Sequence, residues 1–117
     1  MDERDAAYLW DIVGAAKEVM RFLDGKRLDD FASDRVLQLA VERELEVIGE
    51  AAARVSGKFR DAHPDIPWQR IIAQRNVIAH QYGEIQMERI WLVATRRLPE
   101  LVALLEPLIP PIADGET

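Results

Sequence analysis

The chain has 117 residues, no cysteine and two histidines, and its formal net charge is −6 at neutral pH. A chain of this length is expected to form one domain, and the lack of cysteine excludes disulfides and cysteine-based metal sites. The negative charge argues against broad, non-specific binding of nucleic acid, which depends on lysine and arginine, although one local basic cleft is compatible with it.

No apolar run approaches the roughly 20 residues that are needed to span a bilayer. The segment Met1–Asp5 is acidic and unlike a secretory signal, so we expect a cytoplasmic protein without membrane contact. The two histidines, His63 and His80, are far apart in the sequence, which argues against a zinc cluster. We therefore expect no metal and no cofactor.

A first helix is predicted from about residue 5 to residue 23. Apolar residues recur there with a period near 3.6: Tyr8, Leu9, Ile12, Ala15, Ala16, Val19, Phe22 and Leu23. Asp2 or Asp5 can cap its start, and Gly25 suits its end. Gly14 lies inside this helix at a cost of about 1 kcal/mol relative to alanine, so we expect a close helix crossing at that position.

The longest helix is predicted from about residue 34 to residue 55, with Ser33 or Asp34 as its N-cap. Its apolar stripe comprises Val36, Leu37, Ala40, Val41, Leu45, Val47, Ile48, Ala51, Ala52 and Val55. Gly49 and the run Ala51–Ala53 have small side chains, which permit close packing against another helix of the same chain or of another chain.

Two carboxylates of this helix, Glu46 and Glu50, lie one turn apart on one face. Paired carboxylates can perform acid–base or metal chemistry. The alternative that we favour is a solvated face on which Arg43 and Arg54 are their partners.

Residues 58–67 are predicted to form a connector with at most one short turn, its path set by Pro64 and Pro67. His63 precedes a proline and is therefore biased toward extended geometry, so we interpret it as a loop residue without a catalytic role. Pro67 suits the first turn of the next helix, which is expected to carry Trp68 toward the core.

That helix leads into a polar cluster, Arg75-Asn76-Val77-Ile78-Ala79-His80-Gln81-Tyr82. The residue types are complementary, because histidine can transfer protons near neutral pH and arginine suits phosphate oxygens. On an ideal helix Arg75 and His80 are about 140° apart. They would converge on one ligand only if the helix ends there or if a second subunit completes the site. The alternative is a capping histidine beside a solvated arginine.

Basic residues also gather in the middle of the chain, whereas acidic residues crowd its N-terminal region. The basic group comprises Arg54, Lys58, Arg60, Arg70 and Arg75. This asymmetry would let an acidic protein hold RNA at one place only. The alternative, which we favour from the charges alone, is an ordinary mixed-charge surface.

A last helical region is predicted from about residue 86 to residue 105, after Gly83. Pro99 cannot occupy an unbroken helix interior, so we expect a kink or a restart there. Residues 107–117 are proline-rich and are expected to form an irregular tail. The chain as a whole predicts an all-α antiparallel bundle of four or five helices.

The spacing Arg75-x4-His80-x-Tyr82 resembles the signature of the HepT-like toxins, a branch of the HEPN superfamily of small helical proteins. Three further segments resemble the same family in the same order: residues 45–52, 63–68 and 90–101. The ordered set extends over about residues 5–106. One departure follows the tyrosine, where Gly83-Glu84-Ile85 replaces the expected valine and aspartate.

The resemblance implies a single HEPN-like helical domain over residues 1–106, which forms a homodimer with its active cleft at the interface. It also implies a metal-independent endoribonuclease that cleaves RNA. RNA supplies the nucleophile, its 2′-hydroxyl, so His80 would transfer protons and Arg75 would stabilise the charge on phosphorus. We expect Asn76 and Arg70 to contact the substrate.

The resemblance further implies the toxin of a type VII-like toxin–antitoxin system. Its partner would be an MntA-like nucleotidyltransferase antitoxin that neutralises it by AMPylation of Tyr82, in a homodimer or a larger hetero-oligomer. The alternative function is a non-catalytic, nucleotide-binding partner subunit of a minimal nucleotidyltransferase. The acidic net charge favours this alternative mildly, whereas the intact signature favours the nuclease.

Overall fold

The computed structural model of the protein describes residues 1–79 and 84–111, and their side chains except those of residues 75–79 and 84–86. Seven α-helices follow one another in these ranges: Glu3–Phe22 (α1), Leu28–Ala32 (α2), Arg35–Arg54 (α3), Gly57–Ala62 (α4), Trp68–Ala79 (α5), Glu84–Leu92 (α6) and Leu98–Leu105 (α7). A π-helical segment, Val93–Arg97, joins α6 to α7, and Glu106–Leu108 form a 3₁₀ turn. The fold is all-α, as predicted.

The predicted caps of the two long helices are confirmed. The carboxylate of Asp2 accepts the N–H of Arg4 at 2.6 Å, which satisfies one of the free donors at the start of α1. At the start of α3 the choice falls on Asp34, whose side chain accepts the N–H of Leu37 at 3.0 Å. Gly25 has a φ of 74°, a left-handed conformation that glycine adopts without strain, and it directs the chain away from α1.

α3 is the central helix, because it packs against α1 on one side and against α5 on another. α7 also packs on α1 and encloses the same core. The core takes fully buried side chains from across the chain, among them Leu9, Ile12, Val19, Phe31, Leu45, Ile48, Leu98 and Leu105. No helix in the described ranges is long and apolar enough to cross a membrane.

α2 is a short helix that the apolar periodicity did not predict. Its buried residue, Phe31, lies with its ring centroid 5.8 Å from that of Trp91 on α6. The side-chain amide of Gln38 donates to the carbonyls of Phe31 and Ala32 at 2.9 and 3.1 Å. Ser33, a candidate cap for α3, instead ends α2. Five residues are too few to form a helix alone, so these tertiary contacts stabilise α2.

The expectation of a close helix crossing at Gly14 is wrong for the part of the chain that the structure describes. Gly14 is exposed, and a Cβ atom at this position would meet no neighbouring atom within 4 Å. The periodicity of α1 explains this, because Gly14 lies on the face of the helix opposite to the buried Ile12 and Ala16.

Of the two alternatives predicted at Pro99, a kink or a restart of the helix, the structure shows a restart. Proline has no N–H to donate and its ring collides with the carbonyl four residues earlier, so an α-helical turn cannot pass through it. The chain widens into the π-helical segment Val93–Arg97 and resumes as α7 with Pro99 in the first turn. The buried residues Ala94, Leu98 and Leu101 keep their faces toward the core through this change.

Candidate functional site

The start of α5 is firmly attached to the rest of the fold. Trp68 is 6% exposed, and its indole N–H donates to the carbonyl of His63 at 3.0 Å. Its ring meets that of Phe59 edge-on, with 6.1 Å between the centroids. His63 itself ends α4 and stacks on Phe59, so its interpretation as a loop residue holds. These contacts position the helix that carries Arg75, the first residue of the signature.

The signature lies at the junction between α5 and α6. α5 ends at Ala79 and α6 begins at Glu84, and the backbone of Arg75 and Asn76 belongs to the last turns of α5. The side chains of Arg75 and Asn76, and the whole of His80 and Tyr82, lie outside the described residues. Their convergence on one ligand therefore stays a prediction.

α3 and α5 run in opposite directions. The end of α3 is close to the start of α5, because Phe59, four residues after Val55, contacts Trp68, and the two helices then pack along each other. With a rise of about 1.5 Å per residue, the middle of α3 lies beside the C-terminal end of α5. Glu42 therefore lies in the part of α3 that packs along the C-terminal half of α5.

Glu42 is a carboxylic acid that the sequence reasoning missed. Its side chain is buried, and burial raises its pKa. The Arg35 guanidinium, 3.7 Å away, acts in the opposite direction, and the charge of Glu46 adds to the increase. A signal was present in the sequence, because residue 42 falls between Val41 and Leu45 on the buried stripe of α3.

The solvated face that we favoured for the paired carboxylates of α3 is confirmed in part, because Arg43 is a partner but Arg54 forms no ion pair with Glu50 among the described residues. Glu46 forms an ion pair with Arg43 at 3.7 Å, one turn away, and Glu50 is exposed. Such exposed pairs contribute little to stability and carry no catalytic implication. Among the residues that the structure describes, no group of three or more potential metal ligands occurs.

Arg70, the predicted substrate contact, is exposed on α5. It lines a cleft between α5 and α7, together with Gln74 from its own helix and Arg97 from the end of the π-helical segment. The structure therefore brings Arg70 together with a second arginine that the sequence reasoning did not select.

The all-α fold and the Arg75-x4-His80-x-Tyr82 signature in the sequence are those expected of the HEPN class of proteins, and comparison with known families agrees with this class. The family model described as "Ribonuclease HepT-like" matches residues 12–108. The chain therefore belongs to the HepT-like ribonuclease family.

Individual relatives cover nearly the whole chain. "Putative RNase MJ0127" of Methanocaldococcus jannaschii is 33% identical over 117 residues, covering 99% of this chain and 96% of that protein. "Putative RNase MJ1380" of the same organism is 31% identical over 102 residues, covering 86% and 94%. "Probable ribonuclease HepT" of Thermococcus cleftensis is 33% identical over 101 residues, covering 86% and 92%. No solved structure matches the chain.

Proposed function

We propose that the protein is a metal-independent endoribonuclease in which Arg75 and His80 act on the RNA phosphodiester. The observation that carries this proposal is the match of residues 12–108 to the HepT-like ribonuclease family, together with the complete Arg75-x4-His80-x-Tyr82 signature within the matched range. The relatives that carry ribonuclease names are similar over 92–96% of their length, which supports the same reaction class here.

The reaction needs proton transfer and charge stabilisation, and the signature supplies one group for each. The 2′-oxygen of the ribose bonds to phosphorus as its proton leaves, and the bond from phosphorus to the 5′-oxygen breaks as that oxygen gains a proton. His80 accepts the first proton or donates the second. The guanidinium of Arg75 stabilises the negative charge on the phosphoryl oxygens, and Asn76 orients the phosphate. The products are a 2′,3′-cyclic phosphate and a 5′-hydroxyl.

A homodimer is part of the proposal. Arg75 and His80 are five residues apart, which is about 140° around an ideal helix. Two copies of both residues around one groove would let the arginine of one protomer act with the histidine of the other. Light scattering at micromolar concentration should give twice the 13.3 kDa mass of the chain. A strictly monomeric protein with full activity would contradict this arrangement.

The test of the nuclease is cleavage of total tRNA in the presence of EDTA, followed by analysis of the ends. Arg75→Ala and His80→Ala should each abolish cleavage while the helical circular dichroism signal is unchanged. His63→Ala is the matched control, because His63 is the other histidine of the chain and lies at the end of α4. Cleavage that persists in the purified double variant would overturn the assignment.

We further propose that the protein is the toxin of a type VII-like toxin–antitoxin pair and acts in the cytoplasm. Its partner is an MntA-like nucleotidyltransferase that transfers AMP from ATP to the hydroxyl of Tyr82. The phenolic oxygen bonds to the α-phosphorus, pyrophosphate leaves, and the phenolic proton passes to a base of the transferase. The added phosphodiester charge next to the arginine of the signature would repel the RNA backbone.

Tyr82→Phe tests this regulation. The variant should keep cleavage activity and resist neutralisation by the antitoxin with ATP, and mass spectrometry should show no AMP on it. Tyr8→Phe is the matched control, because Tyr8 is the only other tyrosine of the chain and packs against the core on α1. AMP mapped to Tyr8, or to no tyrosine, would remove Tyr82 from this role.

A non-catalytic, nucleotide-binding subunit is the second candidate, favoured only by the net charge of −6. Purified protein that binds ATP but cleaves no RNA would support it against the nuclease.

A further inference from the structure

The cleft between α5 and α7 combines positive charge with an apolar floor. Its floor consists of Ile71, Leu98 and Leu101, which are 5%, 2% and 5% exposed. Arg70 and Gln74 border it on the α5 side, and Arg97 borders it on the other side. All of these residues belong to the described part of the chain.

The two arginines of this cleft differ from several other arginines of the protein in that they have no carboxylate partner among the described residues. Arg21, Arg35 and Arg43 each lie within 4.0 Å of a glutamate. Arg70 and Arg97 are exposed, and neither forms an ion pair with any residue that the structure describes. Guanidinium groups that are not already paired are available to bind an anion.

The charge of the cleft is positive within a negatively charged protein. Residues 1–50 contain thirteen acidic and seven basic side chains, whereas residues 51–111 contain six acidic and eight basic ones. Glu100 is the one carboxylate among the cleft-lining residues, which include two arginines. An anionic ligand is therefore favoured in the cleft, although the whole protein repels anions at long range.

The cleft also lies next to the signature along α5. Ile71 on the floor of the cleft is four residues, or about one helical turn, before Arg75, and Gln74, which borders the cleft, immediately precedes Arg75. A single strand of RNA held at the signature would extend to the cleft with its neighbouring nucleotide. The π-helical segment that ends at Arg97 fits this location, since π-turns within helices are frequent at functional sites.

We propose that Arg70 and Arg97 form a binding subsite for an RNA phosphate that neighbours the one being cleaved. The two guanidinium groups hold the phosphate at the rim, and the apolar floor accepts the sugar or base edge attached to it. The subsite contributes binding and takes no part in bond cleavage. This inference rests on the proposed ribonuclease activity.

The first measurement is steady-state cleavage of a fluorescein-labelled single-stranded RNA by the full chain and by the double variant Arg70→Ala/Arg97→Ala. The control is Arg4→Ala/Arg21→Ala, which also removes two exposed positive charges, on α1. We expect the cleft variant to raise KM by roughly tenfold or more and to leave kcat within about twofold. The reason is that the lost contacts bind the substrate equally in the ground state and in the transition state. The control should change KM by less than about twofold.

The second measurement is the salt dependence of RNA binding by fluorescence anisotropy, with His80→Ala in both proteins so that the RNA stays intact. Loss of the one phosphate that the two arginines hold should reduce the slope of log K against log salt concentration by about 0.7, the value per neutralised phosphate of a single strand. Arg70→Lys/Arg97→Lys keeps both charges and should retain most of the slope.

Several outcomes would overturn the subsite. One is unchanged KM and salt slope in the cleft variant while the wild-type protein cleaves RNA, a result that leaves the ribonuclease assignment intact. Another is a fall in kcat at constant KM, or loss of the dimer in light scattering, either of which makes the cleft structural. A third is normal RNA kinetics with lost neutralisation by the nucleotidyltransferase, which makes the cleft a protein interface. If the wild-type protein neither cleaves nor binds RNA, the ribonuclease proposal itself fails.

Discussion

Replacing Asp5 with alanine should destabilise the protein more than any other removal of a single carboxylate from α1. Asp5 is 5% exposed, although it lies in the first turn of a helix. Its carboxylate accepts the N–H of Ser56 at 2.8 Å and the hydroxyl of Ser56 at 2.6 Å. The hydroxyl oxygen in turn accepts the N–H of Phe59 at 3.1 Å, which caps α4. One side chain therefore ties the start of α1 to the start of α4.

The expected loss follows from these two bonds. A hydrogen bond to a charged group contributes about 1.5–3 kcal/mol. Removal of the Asp5 carboxylate leaves the N–H and the hydroxyl of Ser56 without their acceptor. Ser56 is only half-buried, so water recovers part of the loss. We expect Asp5→Ala to lower the free energy of unfolding by about 3 kcal/mol. Small domains have about 5–15 kcal/mol in total, so this is a large fraction.

The assay is urea unfolding at pH 7, followed by circular dichroism and tryptophan fluorescence. Asp2→Ala is the control, because Asp2 caps the same helix from an exposed position and should cost about 1 kcal/mol. Asp5→Asn retains one acceptor and should fall between the two. If Asp5→Ala changed the free energy of unfolding by no more than Asp2→Ala does, the hydrogen bonds between Asp5 and Ser56 would not contribute to stability.

Three further predictions concern the rest of the helices. Gly14→Ala should raise the free energy of unfolding by about 0.5–1 kcal/mol in urea, since the Cβ enters open space and alanine favours helix; a loss would reveal a contact at that face. The gain in the free energy of unfolding caused by Glu44→Gln should be larger at pH 7 than at pH 4. Burial, then the hydrogen bond and charge of Glu18, raise the pKa of Glu44 above 4.5, so its contribution is present at low pH and is lost as pH rises through the folded-state pKa. An equal effect at both pH values would exclude this cause. Phe31→Ala should cost about 3–5 kcal/mol and quench or shift the fluorescence of Trp91, and a change below 1 kcal/mol would contradict the role of Phe31 in the core.

Most of the helices could be predicted because their causes are local. The N-cap bonds of Asp2 and Asp34 join residues two and three apart, and a period near 3.6 marks each buried face. The restart at Pro99 follows from the chemistry of one residue. α2 escaped prediction because five residues carry no periodicity, and its stability comes from Phe31 in the core.

The candidate site also has one part that the sequence predicted and one part that only the tertiary structure shows. The signature could be read directly, since the order and spacing of Arg75, His80 and Tyr82 are properties of the sequence, and membership of the HepT-like ribonuclease family agrees with it. That Arg70 and Arg97 line one cleft could not be predicted from the sequence, because they are 27 positions apart and only the tertiary fold brings them to the same cleft.

The sequence by itself therefore determined the long helices α1 and α3 with their caps, the helix break at Pro99 and the family signature, all of which depend on residues within a few turns of one another. Only the tertiary structure decided which polar groups are buried. Asp5 meets Ser56 across 51 positions, and Glu42 is enclosed by helices that lie beside α3. Gly14 faces open space for the same reason, since burial depends on which helix packs against each face, and no local pattern contains that information.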